Sequence, residues 1–174
     1  SEYSKNSAKY IADYEAKAKA AEFLYNLANL YFKKGGATYD IGAGTGRDAF
    51  YLSENGYECK AVEPTDEFLK HIHGKYPKLK TIQDQLPSLT KIENSSADNI
   101  FCCTVLQHLP SQELLSSIHR LVEVLKDEGV LILSWRSSQQ STNREGDRLF
   151  NEFSGRQISD ILISYGCEIL FYQY

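Results

Sequence analysis

Two rhythms of apolar residues alternate along the chain. Compact apolar blocks at 37–41 (ATYDI), 58–63 (ECKAVE), 79–83 (LKTIQ), 99–106 (NIFCCTVL), 130–135 (VLILSW) and 167–173 (CEILFYQ) predict strands. The continuous block NIFCCTVL suits a strand buried on both faces of a sheet. Between the blocks the spacing becomes helical. Residues 5–33 are rich in Ala, Leu, Lys and Glu and stop at Gly35-Gly36, and a helix over 47–55 stops at Gly56. Thr65 stands where it would cap a helix whose first turn carries Asp66 and Glu67 against the positive end of the dipole. Phe68, Leu69 and Ile72 share one face of that helix, and Gly74 and Pro77 end it. Ser111 stands as the cap of a long helix with Leu114, Leu115, Ile118, Leu121, Val122 and Leu125 in register, ending at Gly129. After the polar stretch RSSQQSTNREGDR (136–148) a last helix is expected near 155–165. Strands alternating with helices imply right-handed βαβ units. The expected fold is α/β: a doubly wound, three-layer αβα sandwich around a mostly parallel, Rossmann-like sheet.

Composition narrows the class. The chain has 174 residues, enough for one domain with a sizeable core, and 42% hydrophobic and 24% charged residues are ordinary for a globular protein. No apolar run approaches the roughly 20 residues that span a bilayer, and the polar start SEYSKNSAKYIADYEAKAKAAE has no signal-peptide core. A net charge of −4 argues against a broad nucleic-acid footprint. Cys59, Cys102, Cys103 and Cys167 show no CxxC spacing, so buried free thiols in a reducing compartment are expected, and the cytoplasm with it. His71, His73 and His119 fall on predicted helices, and no metal site is indicated.

The chemistry concentrates in YDIGAGTGRDAF, residues 39–50. Glycines where a strand turns into a helix let the backbone approach a ligand, and the helix N-terminus offers unpaired N–H groups to it. A P-loop needs GxxxxGK[ST], and no Gly-Lys pair follows. A dinucleotide fingerprint counted from Gly42 needs glycine at 47, where the chain has Arg47. What remains is Asp40 followed by GxGxG, with Glu63 ending the next strand 21 positions after Gly42. A strand-end carboxylate there can accept hydrogen bonds from ribose hydroxyls. Arg47 at a helix N-terminus needs a partner, either Asp48 beside it, another acid, or a ligand carboxylate.

Asp40, the GxGxG turn and Glu63 together resemble the cofactor motif of class I, seven-strand S-adenosylmethionine-dependent methyltransferases. The resemblance runs over roughly residues 8–172. It implies S-adenosylmethionine as cofactor, with S-adenosylhomocysteine as product, held by Asp40, Gly42, Ala43, Gly44, Gly46 and Arg47. Glu63 and Pro64 would meet the ribose. IQDQLPSL is similar to the adenine segment, which puts Asp84 against the adenine amino group and Gln85 and Leu86 beside the ring. ADNIFCCTVLQHLP resembles the segment following the fourth strand in small-molecule enzymes, bringing Cys103 and Thr104 to the site. YIADYE resembles a helix closing over the cofactor, with Tyr14 as a cofactor contact and Tyr10 as a substrate contact, or both simply packed on the sheet.

The implied reaction is in-line methyl transfer, which needs alignment more than a catalytic side chain. No (N/D)PP(Y/F) element, Pro-Cys pair or paired-glutamate signature accompanies the fourth strand, so a small-molecule acceptor is favoured over bases and protein arginines. His108 is the candidate general base, or alternatively a cap of the strand-to-helix turn; Arg136 is a candidate for an anionic acceptor group; and 136–154 is long enough for a lid or substrate loop. An NAD-linked oxidoreductase and a non-catalytic S-adenosylmethionine-binding module are the alternatives. Because the family fold has seven strands and this chain stops after the expected sixth, the last strand is expected to be missing, leaving an open edge and a monomer or homodimer. A seventh strand within these residues would overturn that assignment of the last third.

Overall fold

The structure is a computed structural model that describes residues 21–136, 143–145, 148–150 and 153–173. Its elements in chain order are α1 (Glu22–Tyr31), β1 (Ala37–Ile41), α2 (Arg47–Glu54), β2 (Glu58–Val62), α3 (Asp66–Lys75), β3 (Lys80–Ile82), β4 (Ala97–Cys103), α4 (Leu114–Val124), β5 (Leu125–Ser134), β6 (Asn143–Glu145), β7 (Arg148–Phe150) and α5 (Gly155–Ser164). Strands β1 to β5 form one sheet in the order β3-β2-β1-β4-β5, and every pair is parallel. The chain steps outward from β1 to β3, then returns to lay β4 on the other side of β1. That reversal opens a crevice beyond the carboxyl ends of β1 and β4, the position at which open α/β sheets bind ligands.

Both faces of the sheet are covered, as the continuous β4 block requires. Phe101 and Ile132 pack with Ala28, Phe32, Leu52 and Ile72 on the side of α1, α2 and α3. Ile100 and Cys102 point the other way, into Ile118, Leu121 and Ile158 of α4 and α5. Alternate residues of one apolar strand therefore feed two cores.

Several expected boundaries move for physical reasons. β4 stops at Cys103 rather than 106, because Thr104 turns to φ 58°. α4 ends at Val124, not Gly129: Leu125 pairs with Ala97, so residues 125–129 belong to β5. Gly129 is glycine because a Cβ there would lie 2.8 Å from the Lys126 carbonyl oxygen and 3.1 Å from that of Ala97. Ser111 opens a 3-10 turn (Ser111–Glu113) instead of capping α4, and Thr65 occupies the cap position of α3 without a side-chain cap bond. Ser154 does cap α5, its hydroxyl accepting from the Gln157 amide at 3.1 Å.

The last third needs the largest correction. Residues 167–173 form no strand; Leu170, Phe171 and Tyr172 are exposed, and the Phe171 ring meets Phe23 at 5.9 Å. Apolar alternation supplies side-chain contacts only, and a strand also needs a neighbour for its backbone groups. Within 136–154, expected to be a loop, β6 and β7 form an antiparallel pair, and β7 lies against the turn at 106–108. The described residues thus contain seven strands, five in the main sheet and two in this hairpin, and the six-strand assignment is overturned. The part of the N-terminal helix expected over 5–20 lies outside the described residues, as do Tyr10 and Tyr14.

Candidate functional site

The glycine turn leaves β1 at the crevice. Gly42, Gly44 and Gly46 adopt φ of 75°, 54° and 77°, in the left-handed region that side chains resist. Space forbids a side chain as well: a Cβ on Gly42 would lie 2.4 Å from Val105 Cγ2, and one on Gly46 would lie 2.7 Å from Ile72 Cγ1. The Gly42 and Ala43 amides both donate to the Val62 carbonyl, at 2.9 and 3.0 Å, which anchors the turn to the end of β2.

Glu63 follows Val62 and is buried. Its Oε2 accepts from the Gly44 amide and its Oε1 from the Thr65 amide, each at 2.9 Å. Burial pushes its carboxyl above the usual range, and the hydrogen bonds from Thr65 and Gly44 pull it back. Glu63 therefore ties the glycine turn to the start of α3. The exposed Pro64 next to it accepts from the Gln83 side chain at 3.2 Å.

Asp40 lies beneath the turn, 3% exposed. The Ala49 backbone hydrogen-bonds its carboxylate, while Oδ2 is buried with no partner. Burial, then the charge of Asp48, holds its carboxyl well above the ordinary aspartate range. Arg47 closes onto the neighbouring Asp48, Nε to Oδ1 at 2.8 Å and Nη2 to Oδ2 at 3.2 Å. So the adjacent acid is one partner of this helix-start cation. Tyr25 of α1 also donates to Asp48 Oδ1, and its ring stacks on Tyr51 at 3.8 Å. Burial and Asp48 both raise the Tyr25 pKa. The sequence reading missed Tyr25, because its approach to Asp48 is a contact between residues 23 positions apart that only packing shows.

Thr104 and Val105 form the opposite wall. Thr104, β-branched and at positive φ, is held by its amide donating to Ser134 at 2.8 Å. Such a residue stores on the order of 1–3 kcal/mol of strain. Cys103 is beside it; burial pushes its thiol up, and a Ser134 side-chain hydrogen bond opposes the shift. A raised thiol is a poor nucleophile. His108 sits in the 3-10 turn Leu106–His108, its amide donating to Val105 at 2.9 Å. Buried Gln107 accepts from the Arg136 amide at 3.0 Å and joins this turn to the exit of β5.

The adenine-segment candidates stand at the end of β3. Asp84 accepts from the amides of Gln85 at 2.8 Å and Lys91 at 2.7 Å, so both carboxylate oxygens brace their own loop. Leu86 is buried in the core. A separate cleft of about 640 Å³, lined by Tyr57, Lys60, Tyr76 and Lys80 among others, opens at the opposite ends of the strands and contains none of the predicted residues. No group of three or more metal-binding side chains occurs among the described residues.

The family described as a methyltransferase domain matches residues 39–133, from the glycine turn through β5. YqeM of Bacillus subtilis, named as a methyltransferase, is 25% identical over 107 residues, covering 59% of this chain and 43% of its own. Phosphoethanolamine N-methyltransferase 1 of Caenorhabditis elegans is 28% identical over 126 residues, covering 71% of this chain and 26% of its own. The chain thus spans less than half the length of either relative. Among solved structures, the Burkholderia thailandensis 1,6-didemethyltoxoflavin-N1-methyltransferase, with 1,6-didemethyltoxoflavin and S-adenosylhomocysteine bound, has a TM-score of 0.63 at 16% identity, covering 92% of this chain and 77% of its own. The PH0226 protein of Pyrococcus horikoshii has a TM-score of 0.72 at 17% identity, covering 84% of this chain and 80% of its own. At these identities the two structures share the fold.

Proposed function

This chain belongs to the methyltransferase domain family, and from there we propose that it transfers a methyl group from S-adenosylmethionine to a small-molecule acceptor. The observation that carries the reading is the pair of strand-end carboxylates flanking a glycine turn at the sheet's switch point, one with a buried oxygen that lacks a partner. The cofactor fits that arrangement. It is cationic where the site is acidic, and it brings hydroxyls to the Glu63 carboxylate and an ammonium to the partnerless Oδ2 of Asp40. When bound, S-adenosylmethionine supplies a methyl group on a positively charged sulfur.

The protein's own residues do the rest by position. Gly42, Ala43, Gly44 and Gly46 bring backbone within reach, and Arg47 offsets the negative charge of the cluster through Asp48. Glu63 and Pro64 take the ribose side, Asp84, Gln85 and Leu86 the adenine side, and Cys103 and Thr104 the wall. Tyr14 covers the cofactor, while Tyr10, Arg136 and the 136–154 segment receive the acceptor. His108 is the one candidate base, and an acceptor that is already nucleophilic does not need it. Both phosphoethanolamine and 1,6-didemethyltoxoflavin, acceptor-type names among the relatives, are small molecules that present nitrogen. The four cysteines are free thiols, which suits a reducing cytoplasm. Calorimetry with S-adenosylhomocysteine tests the reading: Glu63→Ala should bind about tenfold more weakly, or about 1.4 kcal/mol. Unchanged affinity overturns it.

A further inference from the structure

The loop that follows β3 is held from a distance by one side chain. Arg120, on α4, aims its guanidinium into residues 88–94, and its side chain is 14% exposed. Nε donates to the Ser88 carbonyl at 2.9 Å, Nη2 to the carbonyls of Leu89 at 3.1 Å and Ile92 at 2.5 Å, and Nη1 to Asn94 Oδ1 at 2.5 Å and Glu123 Oε2 at 3.4 Å. A guanidinium has five N–H donors in a fixed fork. Here five acceptors meet it, four of them from this one loop.

The loop is wound so that the grip reaches its start. Leu89 has φ 43° and is fully buried, and its amide donates to the Gln85 carbonyl at 2.9 Å. The Lys91 amide donates to Asp84 Oδ2 at 2.7 Å. Ser88, Leu89 and Ile92 are thus fixed by Arg120, while Leu89 and Lys91 fix Gln85 and Asp84. Without the fork, three carbonyls lose a charged donor, and the strained turn at Leu89 loses what holds it.

We propose that Arg120 is a positioning residue for cofactor recognition: by clamping 88–94 it sets Asp84 and Gln85 where they read the adenine ring. The inference rests on the reading of the site given above. Lysine cannot replace this role, since a single ammonium reaches too few of the five acceptors and lacks the planar fork.

The test compares two ligands that differ only at ring position 6, S-adenosylhomocysteine and S-inosylhomocysteine, titrated by calorimetry into the wild type, Arg120→Lys and Asn94→Ala. The wild type should prefer the adenine ligand by about tenfold. Arg120→Lys should bind S-adenosylhomocysteine about fivefold more weakly and keep less than about threefold preference. Asn94→Ala, which removes one acceptor and leaves the rest of the clamp, should shift both values in the same direction by about twofold, and it carries the test if Arg120→Lys does not fold. Loss of stability alone would weaken both ligands equally. A full tenfold preference in the variants, or none in the wild type, overturns the inference. A wild type that binds neither ligand instead overturns the reading of the site itself.

Discussion

Asp40 and Asp98 lie on adjacent strands of one sheet, near opposite ends, and their environments are opposed. Asp98 sits where β4 meets the start of β1. It accepts from Lys33 at 3.0 Å, Lys126 at 2.9 Å and the Ala37 amide at 3.0 Å. The hydrogen bonds from Lys126 and Lys33 hold its carboxyl low, at about 2. Asp40 is buried at the other end, with one oxygen unpartnered, beside Asp48 and Glu63, and its carboxyl is held high. One end of the sheet resolves its charge in favour of stability. The other keeps an acidic, partly unsatisfied cluster that a cationic ligand would complete. The contrast separates scaffold from site more sharply than burial does, since both ends are well packed.

The largest expected effect breaks the site end by sterics. Gly42→Ala puts a Cβ at 2.4 Å from Val105 at φ 75° and should cost about 3 kcal/mol in chemical denaturation, along with S-adenosylhomocysteine binding. Gly35→Ala, with φ 67° but nothing within 4 Å of the new Cβ, should cost only about 1 kcal/mol. Equal losses would mean that strain alone, and not the close approach to Val105, sets the cost.

Asp40→Asn comes next. The native carboxyl is raised, so the unfolded chain releases its proton first, and unliganded wild-type stability falls as pH climbs above about 4 toward the raised value. Asparagine removes that contribution. The variant should therefore gain on the wild type from pH 4 upward in urea titrations, while binding S-adenosylhomocysteine about tenfold more weakly. A flat difference between the two proteins across pH would contradict the raised carboxyl.

The smallest effect is at the scaffold end. Asp98 has a lowered carboxyl, so its contribution is full above about pH 4 and fades as pH falls through about 2. Asp98→Asn should cost about 1 kcal/mol at neutral pH, the scale of a mostly surface ion pair, with the gap closing toward pH 2. A gap that widens on acidification would place Asp98 in the same class as Asp40.

The site was legible in unequal parts. GxGxG and the two strand-end acids were readable because a left-handed turn against packed side chains admits little but glycine, and because a strand end fixes where the next residue points. The Asp48 partner of Arg47 was readable as one of several, since adjacent residues at a helix start meet without tertiary help. Tyr25 and Arg120 were not readable. Each acts over more than twenty residues of chain, and nothing local distinguishes Tyr25 from other tyrosines of its helical run or Arg120 from other surface-type arginines.

By itself the sequence determined the alternation of strand and helix, the place of the glycine turn and the two buried cores, because these follow from side-chain periodicity and local backbone sterics. The tertiary structure alone decided that 125–129 extend a strand, that 143–145 pair with 148–150 while 167–173 form no strand, and that Asp40 keeps an unpartnered oxygen. Pairing and satisfaction are properties of what lies opposite a residue. A strand exists only when a second backbone takes its hydrogen bonds, and a carboxylate shifts only in the field and solvent that the rest of the fold leaves around it.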